Sequence, residues 1–144
     1  MSNVRPHTVL PNKACAVVLR SNAGGIEVLA FNHPQAGLQL VKGTIEPGET
    51  PELAAVRELH EEAGLVTITT GRHLGVWNSG FQDQVWSFIE CHPTSPLPEA
   101  WVHHALDDGG KLFRFFWHPL WAPANPKEWH GVFQDALRFI QNAA

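Results

Sequence analysis

The chain has 144 residues, of which 44% are hydrophobic and 17% are charged, and its formal net charge is −4. This length and apolar content predict one ordinary domain, residues 1–144, with a core that needs no disulfide or metal to hold it together. The negative charge argues against a protein held to nucleic acid mainly by phosphate contacts. It does not exclude a small phosphorylated substrate, because a bound cation can supply positive charge.

Two cysteines, Cys15 and Cys91, lie in apolar strand-like runs and show no metal-ligand spacing, so we expect both to be buried and reduced. No segment approaches the length of a membrane span, which predicts no contact with a membrane. The N-terminal stretch MSNVRPHTVLPNK has no continuous apolar run, which predicts no signal peptide. These features favour a cytosolic location.

The first predicted elements along the chain are strands. Ala14–Arg20 and Gly25–Phe31 are rich in β-forming residues and are separated by SNAG, a turn signal, so they are predicted to form a hairpin. Gly37–Gly43 is predicted to be a third short strand.

A helix is predicted next, after the turn-rich segment GTIEPGET. Thr50 is a favourable N-cap, Pro51 suits the first helical position, and Gly64 stands where a C-terminal cap belongs.

The second half of the chain continues with strands around Thr67–Trp77, Gln84–Cys91 and Lys111–Trp117. A second helix is predicted after Asn125 and Pro126. Its core-facing stripe contains Trp129, Val132, Phe133, Ala136, Leu137 and Ile140. Strands interleaved with two helices predict a mixed sheet with helices packed on its faces.

The long segment His92–Gly110 lacks a clear periodicity. A span of this kind is a functional loop, an unrecognised element or a disordered stretch. Trp101 and its apolar neighbours make disorder the least favoured of the three, and we treat the segment as a candidate wall of a binding site.

The first helix is predicted to have two unlike sides. An apolar arc that would pack on the sheet contains Leu53, Val56, Leu59 and Ala63. The opposite arc contains Glu58, Glu61 and Glu62, with Arg57 beside it. Like charges at this spacing destabilise a helix by roughly 0.2–0.5 kcal/mol per pair. A solvated acidic face explains where the carboxylates lie but not why they cluster. A hard divalent cation such as Mg²⁺, which takes oxygen ligands, explains the cluster.

The loop before the helix supports this hypothesis. Gly43 and Gly48 permit sharp turns, and Pro47 stiffens the chain between them. Glu49 stands where it can meet Arg57 and join the loop to the helix, which would fix the direction of the downstream carboxylates.

The segment Gly43–Leu65, GTIEPGETPELAAVRELHEEAGL, resembles the Nudix box, G-x5-E-x7-R-E-U-x-E-E-x-G-U, in which U is a bulky aliphatic residue. The specified positions all fit, namely Gly43, Glu49, Arg57, Glu58, Leu59, Glu61, Glu62, Gly64 and Leu65. The resemblance implies an α/β/α sandwich with a mixed β-sheet between helices. It also implies hydrolysis of a nucleoside diphosphate linked to another moiety.

By the same resemblance, Glu58, Glu61 and Glu62 bind Mg²⁺ or Mn²⁺, and the backbone carbonyl at or next to Gly43 adds a ligand. A metal-activated water is the implied nucleophile. Members of the family differ in the residue that serves as general base. Glu58 or Glu61 is our first choice, and Glu99 in the long segment is the candidate outside the box.

Arg57 and Glu49 would orient the carboxylates, and we count both among the catalytic residues. Lys42, in the sequence VKG, stands where some family members have PKG, a form that resembles dinucleoside polyphosphate and diphosphoinositol hydrolases, and it would reach a phosphate.

Further candidates for contact with the substrate are Trp101, by stacking on a base, and His103, by contact with phosphate. The alternatives are that Trp101 fills the core and that His103 is a solvated loop residue.

The predicted partner is a small phosphorylated nucleotide-type substrate, and the protein is predicted to be a monomer or homodimer. Two alternatives belong to other functional classes. One is a Nudix-like domain that senses a nucleotide or metabolite without hydrolysing it, although such domains typically lose the carboxylates that this chain retains. The other is a protein-interaction module that uses the tryptophan-rich C-terminal third.

Overall fold

The computed structural model describes residues 10–144, apart from the side chain of residue 107. The N-terminal stretch for which we predict no signal peptide lies mostly outside these residues. The described strands are β1 (Lys13–Val17), β2 (Leu19–Asn22), β3 (Gly25–His33), β4 (Gly37–Gln39), β5 (Val41–Thr44), β6 (Ile68–Asn78), β7 (Val85–Pro93), β8 (Trp101–Ala105) and β9 (Lys111–Pro119). The helices are α1 (Pro51–Glu58), which continues into a π-helical turn (Leu59–Ala63), and α2 (Gly131–Ala143).

The strands form two sheets. The mixed sheet has the order β5-β1-β7-β6, in which β1 and β7 are parallel and the two outer pairs are antiparallel. The antiparallel sheet has the order β2-β3-β9-β8, and β4 also pairs with β3. The register that matters for the site is the pairing of β1 with β5, which places Ala14 opposite Gly43 and Cys15 opposite Lys42.

Two predicted strands are each divided between the sheets. The run Ala14–Arg20 belongs to β1 up to Val17 and to β2 from Leu19, and only β2 forms the predicted hairpin with β3. The run Gly37–Gly43 is likewise divided into β4 and β5. The crossing residues Val18 and Leu40 are themselves buried, so the apolar pattern continues through both breaks and gives no sign of them.

Each face of the sheets has its own core. The first cluster contains Ala54 and Ala55 of α1 and Leu59 of the π-helical turn. They pack on both sheets, at Ala14, Ala16, Phe31 and Phe115. The second contains the predicted stripe of α2, packed on Cys15, Val17, Trp86 and Phe88. The predicted α/β/α arrangement is therefore confirmed, with a helix on each face of the mixed sheet. Both cysteines are free and buried, as predicted.

The last helix begins later than predicted. Asn125 accepts hydrogen bonds from the backbone N–H groups of Glu128 and Trp129, which forms a turn, and α2 starts only at Gly131. Trp129 is buried, although it precedes the helix. None of the helices in residues 10–144 is both long and apolar enough to cross a membrane.

The long segment His92–Gly110 contains an element that the sequence pattern did not reveal. Strand β8 and a 3₁₀ turn (Leu106–Asp108) lie within it, and β8 pairs with β9 at the edge of the antiparallel sheet. His103 and His104 point to opposite sides of this strand, as adjacent strand residues must, with His103 partly buried and His104 exposed.

Candidate active site

The helix that carries the carboxylates starts as predicted. Thr50 caps α1, because its hydroxyl accepts a hydrogen bond from the backbone N–H of Leu53 at 3.1 Å, and Pro51 follows at the first helical position. Glu49 closes the preceding loop, since its carboxylate accepts a hydrogen bond from the backbone N–H of Glu46 at 2.9 Å. The start of α1 and the loop before it are therefore fixed by local hydrogen bonds.

The end of the helix is not α-helical. Residues Leu59–Ala63 form a π-helical turn, and the backbone N–H of Leu65 bonds the carbonyl of Leu59 at 3.2 Å. Gly64 ends the turn with φ 73°, a left-handed conformation that glycine adopts without strain. Wide turns of this kind often lie at functional sites because they redirect the side chains on one face of a helix.

The predicted division of this helix into an apolar side and an acidic side is only partly correct, since Leu59 and Ala63 are buried as predicted but other assignments fail. Leu53 is 58% exposed, whereas Glu58 and Glu62 are buried on the side that faces the sheets. The buried positions are Ala54, Ala55, Glu58, Leu59, Glu62 and Ala63. Two alanines let the helix approach the sheet closely, and the carboxylates are buried with it.

Gly43 makes room for Glu58. A Cβ atom at this position would overlap the carboxyl group of Glu58, so the strand can lie against the helix only if residue 43 has no side chain. Burial is the main cause that raises the pKa of Glu58 to about 6, and the nearby charges of Glu61 and Asp108 raise it further, while Arg57 lowers it.

Glu62 is the most constrained of the three carboxylates. It is only 8% exposed, and its Oε1 atom is buried without a hydrogen-bond partner among the described residues. Burial, followed by the neighbouring charges of Glu58 and Asp108, raises the pKa of Glu62 well above its ordinary value. An unpartnered buried carboxylate oxygen is unfavourable unless a cation meets it, and oxygen is the ligand that Mg²⁺ and Mn²⁺ prefer. The residues present therefore fit a hard divalent cation.

The carboxylates line a cavity of about 420 Å³ between β5, α1 and the β8–β9 loop. Its lining residues are Lys42, Gly43, Thr44, Glu46, Arg57, Glu58, Glu61, Glu62 and Asp108. Carboxylates outnumber basic groups in this lining, which makes the cavity suitable for a cation rather than for a bare anion.

Arg57 joins the loop to the helix as predicted. Its Nε and Nη2 atoms donate to the two oxygens of Glu49 at 2.7 and 2.9 Å, and Nη2 also donates to the carbonyl of Thr44 at 2.7 Å. Its Nη1 atom donates to Glu58 at 2.8 Å and to Glu61 at 3.1 Å. The hydrogen bonds to Glu49 and then to Glu58 raise the pKa of the guanidinium, despite an opposing effect of burial.

The same contacts explain how the carboxylates are oriented. Among residues 10–144, no three His, Cys, Asp or Glu side chains surround a single position at which a metal ion would sit. Glu58 and Glu61 are turned toward Arg57, which takes the place of a cation between them.

Lys42 also lines the cavity, but its ammonium group points to the α2 side of the mixed sheet. It donates to the side-chain oxygen of Gln84 at 3.2 Å and lies 4.9 Å from the centre of the Trp86 ring. Burial, and next the charge of Lys13, lowers the pKa of Lys42.

Three other predicted site residues lie outside the lining of this cavity. Glu99 forms a two-bond ion pair with Arg20, at 2.9 and 2.6 Å, near a second cavity of about 430 Å³ formed by Arg20, Trp117 and residues 93–97. Trp101 stacks on Phe115 with ring centres 5.0 Å apart. Glu99 and Trp101 therefore make structural contacts outside the carboxylate cavity.

The third of these residues, His103, supports the π-helical turn from behind. Its Nε2 atom lies 3.0 Å from the carbonyl oxygen of Glu61, and Trp101 donates from Nε1 to the carbonyl of Ala63 at 3.0 Å. A side chain at Gly64 would overlap the His103 ring. Strand β8 thus forms a wall behind the carboxylate helix, and its contacts are with the backbone of the turn.

Two acidic residues of the lining, Glu46 and Asp108, were not among the predicted site residues. Asp108 is the one that lies far from the carboxylate helix in the sequence. It lines the cavity together with Glu58, Glu61 and Glu62, although it lies outside the Nudix box. The sequence DDGG, residues 107–110, could have identified Asp108, because two acidic residues precede a glycine turn there. It lies within the long segment that we predict to be a wall of a binding site.

Comparisons with known proteins agree with this geometry. A family model of the NUDIX domain matches residues 10–133. A C. elegans Ap4A hydrolase in a binary complex has a similar structure, with a TM-score of 0.62 and 20% identity, over 92% of this chain and 96% of that one.

Two further solved structures are similar. An ADP-ribose pyrophosphatase from Streptococcus suis 89-1591 gives a TM-score of 0.62 at 15% identity, over 94% of each chain. A MutT protein from Methanosarcina mazei Go1 gives 0.62 at 18% identity, over 90% of this chain and 92% of that one. At these identities the structures establish the shared fold. With the family match and the complete box, they show that the chain belongs to the Nudix family of hydrolases.

Proposed function

We propose that this Nudix hydrolase cleaves the pyrophosphate bond of a nucleotide-type substrate, with Mg²⁺ or Mn²⁺ held by Glu58, Glu61 and Glu62. The observation that carries the proposal is the buried Oε1 atom of Glu62, which has no hydrogen-bond partner among the described residues and belongs to a side chain that lines a carboxylate-rich cavity. The backbone carbonyl at or next to Gly43 is the proposed further ligand.

The cation and the carboxylates have different roles in the proposed hydrolysis. A divalent cation bound there would neutralise the pyrophosphate, lower the pKa of a water molecule and stabilise charge on the leaving oxygen. Water attacks phosphorus, a new P–O bond forms and the bridging P–O bond breaks, while Glu58 or Glu61 accepts the proton of the water. Burial raises the pKa of Glu58 to about 6 in the cation-free protein, and a bound divalent cation would lower it, which keeps the carboxylate ionised at neutral pH.

Other residues position these groups. Arg57 and Glu49 hold the loop and the helix together, so that the carboxylates keep their mutual arrangement. Lys42 is the proposed contact for a phosphate oxygen, which requires its ammonium group to leave Gln84. Glu99, Trp101 and His103 are engaged elsewhere, and we do not extend the proposal to them.

The substrate class is part of the proposal. The similar proteins are named for Ap4A and ADP-ribose, both of which are nucleotide-type compounds. Candidate substrates are therefore nucleoside triphosphates, dinucleoside polyphosphates and nucleotide sugars. A cytosolic location, where such compounds occur and thiols stay reduced, is compatible with the free Cys15 and Cys91.

The alternative of a protein-interaction surface in the C-terminal third has less support. Trp129 is buried, and Trp117 is partly buried and donates its indole N–H to the carbonyl of Pro98 at 3.0 Å. Trp121 is 59% exposed, but an isolated exposed tryptophan is not a patch of several hundred Å².

A substrate panel tests the proposal. The protein is incubated with Mg²⁺ and members of the three substrate classes in ¹⁸O-labelled water, and the products are identified by mass. Hydrolysis is expected to place one ¹⁸O atom on a phosphate of the product, and the Glu62→Gln variant is the control. If the protein bound these nucleotides without converting any of them, the result would support the non-catalytic sensor instead.

A further inference from the structure

The π-helical turn at the end of the carboxylate helix has carbonyl groups that need partners from outside the helix. The last carbonyls of any helix have no N–H group of the same helix ahead of them. Here the backbone N–H groups of Gly64 and Leu65 return to the first two carbonyls of the turn. The carbonyls of Glu61 and Ala63 are therefore left for other donors.

Strand β8 supplies both of these donors. The indole Nε1 atom of Trp101 donates to the carbonyl of Ala63 at 3.0 Å. The Nε2 atom of His103 lies 3.0 Å from the carbonyl oxygen of Glu61, and because a carbonyl only accepts, this contact requires a proton on Nε2. Residues two apart on a strand point to the same side of the sheet, so the two rings reach one turn together.

The two rings are themselves held in place. Trp101 stacks on Phe115, with the ring planes 8° apart, and Phe115 is only 2% exposed. The His103 ring fills the space beside Gly64, where a Cβ atom would lie 2.6 Å from Nδ1. The donors are therefore fixed by the antiparallel sheet and by close packing, independently of the carboxylate side chains.

These hydrogen bonds anchor the part of the chain that carries two of the proposed metal ligands. Glu61 and Ala63 are the neighbours of Glu62 on either side, so anchoring both carbonyls restricts the backbone from which the carboxylates project. The Oε1 atom of Glu62 has no hydrogen-bond partner among the described residues, so no contact at that atom sets its direction. Its place in the cavity therefore depends on the backbone of the turn.

We propose that Trp101 and His103 are positioning residues for the metal site, whose ring N–H groups hold the π-helical turn in the orientation in which Glu61 and Glu62 bind the divalent cation. This inference rests on the proposed function, because it concerns the same cation. It gives the two residues a role through the backbone of the turn and not through contact with the substrate. Groups that hold metal ligands in place contribute to metal affinity without touching the ion.

The test is a calorimetric titration of the substrate-free protein with Mn²⁺. Trp101→Phe removes the indole N–H and keeps a ring that can stack on Phe115, and His103→Leu removes the imidazole donor. Each variant is expected to raise the Kd for Mn²⁺ by about tenfold, the lower end of the range for loss of a group that holds metal ligands. His103→Gln, which keeps a side-chain N–H donor, is expected to recover most of the affinity.

The chain offers matched controls for both rings. Trp117 donates its indole N–H to the carbonyl of Pro98 at 3.0 Å, and the Nε2 atom of His118 lies 3.0 Å from the carbonyl oxygen of Ala122. These contacts are of the same kind, but neither reaches the π-helical turn. Trp117→Phe and His118→Leu should therefore bind Mn²⁺ as the wild type does, even where they lower the melting temperature.

Hydrogen exchange of the metal-free protein gives a second measurement. The backbone N–H groups of Gly64 and Leu65 close the turn, so they should exchange faster in Trp101→Phe and His103→Leu. Wild-type exchange rates at these two amides, or an unaltered Kd for Mn²⁺ in both variants, would overturn the inference. An equal loss of affinity in Trp117→Phe and His118→Leu would also overturn it, because the effect would then not be specific to the turn.

Glu62→Gln separates this inference from the proposed function. If Glu62→Gln weakens Mn²⁺ binding and the variants of Trp101 and His103 do not, the positioning role is wrong and the proposed metal site stands. If the wild-type protein itself binds no Mn²⁺, both are overturned.

Discussion

The carboxyl group of Glu58 occupies the space in which a side chain at position 43 would stand. Gly43 lies in β5 opposite Ala14 of β1, and Glu58 is the last residue of α1, so the contact joins the edge of the mixed sheet to the carboxylate helix. The first glycine of the box is therefore required for packing. Its backbone φ is not left-handed, and the close approach of the carboxylate is the reason for glycine at this position.

Replacement of Gly43 by alanine should displace Glu58. Because a shift of about 1 Å in a catalytic group can cost roughly a hundredfold in rate, we expect turnover to fall by about that factor. Gly131→Ala is the control, since a Cβ at Gly131 meets no atom within 4 Å. Steady-state kinetics of the two variants at saturating Mg²⁺ make the comparison. Equal turnover in both would show that the carboxylate of Glu58 does not need this space.

Removal of the divalent cation should abolish turnover and leave the fold intact. The core clusters on both faces of the sheets are apolar and contain none of the cavity carboxylates. We expect the circular dichroism spectrum to be unchanged in excess chelator, while hydrolysis falls to background. Readdition of Mg²⁺ should restore turnover and raise the melting temperature, because a ligand that binds only the folded state stabilises it. Hydrolysis that persists in excess chelator would contradict the assigned chemistry.

The free energy of unfolding of the cation-free protein should decrease as the pH rises above about 4.5. In the folded state the pKa of Glu62 is well above its ordinary value of 4.5, and that of Glu58 is raised to about 6, mainly by burial. At Glu58 and Glu62 the folded protein therefore binds protons more tightly than the unfolded chain, so the stability that these two groups contribute is fully present below about pH 4.5 and is lost as each group ionises. For Glu58 alone the decrease is roughly 2 kcal/mol and is complete above about pH 6.

Glu62→Gln should make the unfolding free energy less dependent on pH and should stabilise the cation-free protein at pH 7, while it lowers turnover by on the order of a hundredfold. Urea denaturation in chelator at several pH values measures the first effect, and Asp135→Asn on α2 is the charge-matched control. If the unfolding free energy of Glu62→Gln depended on pH as steeply as that of the wild type, ionisation of Glu62 would not destabilise the folded protein.

Local signals in the sequence correctly predicted both ends of the helix that carries the carboxylates and the loop before it. The caps at Thr50 and Gly64, and the pairing of Glu49 with Arg57, depend on residues close together in the chain, whose geometry is set by hydrogen bonds of known type. The match of every specified position to the Nudix box allowed the overall fold to be predicted as well. These features could be predicted because each one depends on a fixed spacing.

Features that depend on packing between distant segments were not predicted. The chain changes sheets at Val18 and Leu40 without losing its apolar pattern, because both residues are buried where they cross. Glu58 and Glu62 were predicted to be on the outer side of α1, since helical periodicity assigns charged residues to solvent. Gly43 leaves room for Glu58 on the buried side, and Glu62 follows four residues later on the same side of the helix. Asp108 reaches the cavity through the pairing of β8 with the predicted strand β9, and β8 lies in a segment whose sequence gave no strand pattern.

The ion pair between Arg57 and Glu49 should act on turnover more than on stability. Arg57 holds Glu49 through two hydrogen bonds and also contacts Glu58 and Glu61, so it links the loop to the catalytic carboxylates. Arg57→Ala and Glu49→Ala should each impair turnover, and Arg57→Ala should do so more strongly because it loses the additional contacts. If the two residues act as one unit, the double variant should lose much less than the sum of the single losses in activation free energy.

A matched cycle on Arg20 and Glu99 provides the control for this prediction. This pair also has two hydrogen bonds, at 2.9 and 2.6 Å, but it lies at the second cavity, away from the carboxylates. Neither residue lines the carboxylate cavity, so Arg20→Ala and Glu99→Ala should leave turnover nearly unchanged. The measurement is kcat at saturating Mg²⁺ for all the variants.

Additive losses at Arg57 and Glu49 would mean that the two residues act separately, and direct contact of Arg57 with a substrate phosphate would then explain its effect better. A large loss of turnover in Glu99→Ala would instead indicate that Glu99 takes part in the reaction. Glu99 is paired with Arg20, so its removal is not expected to shift α1.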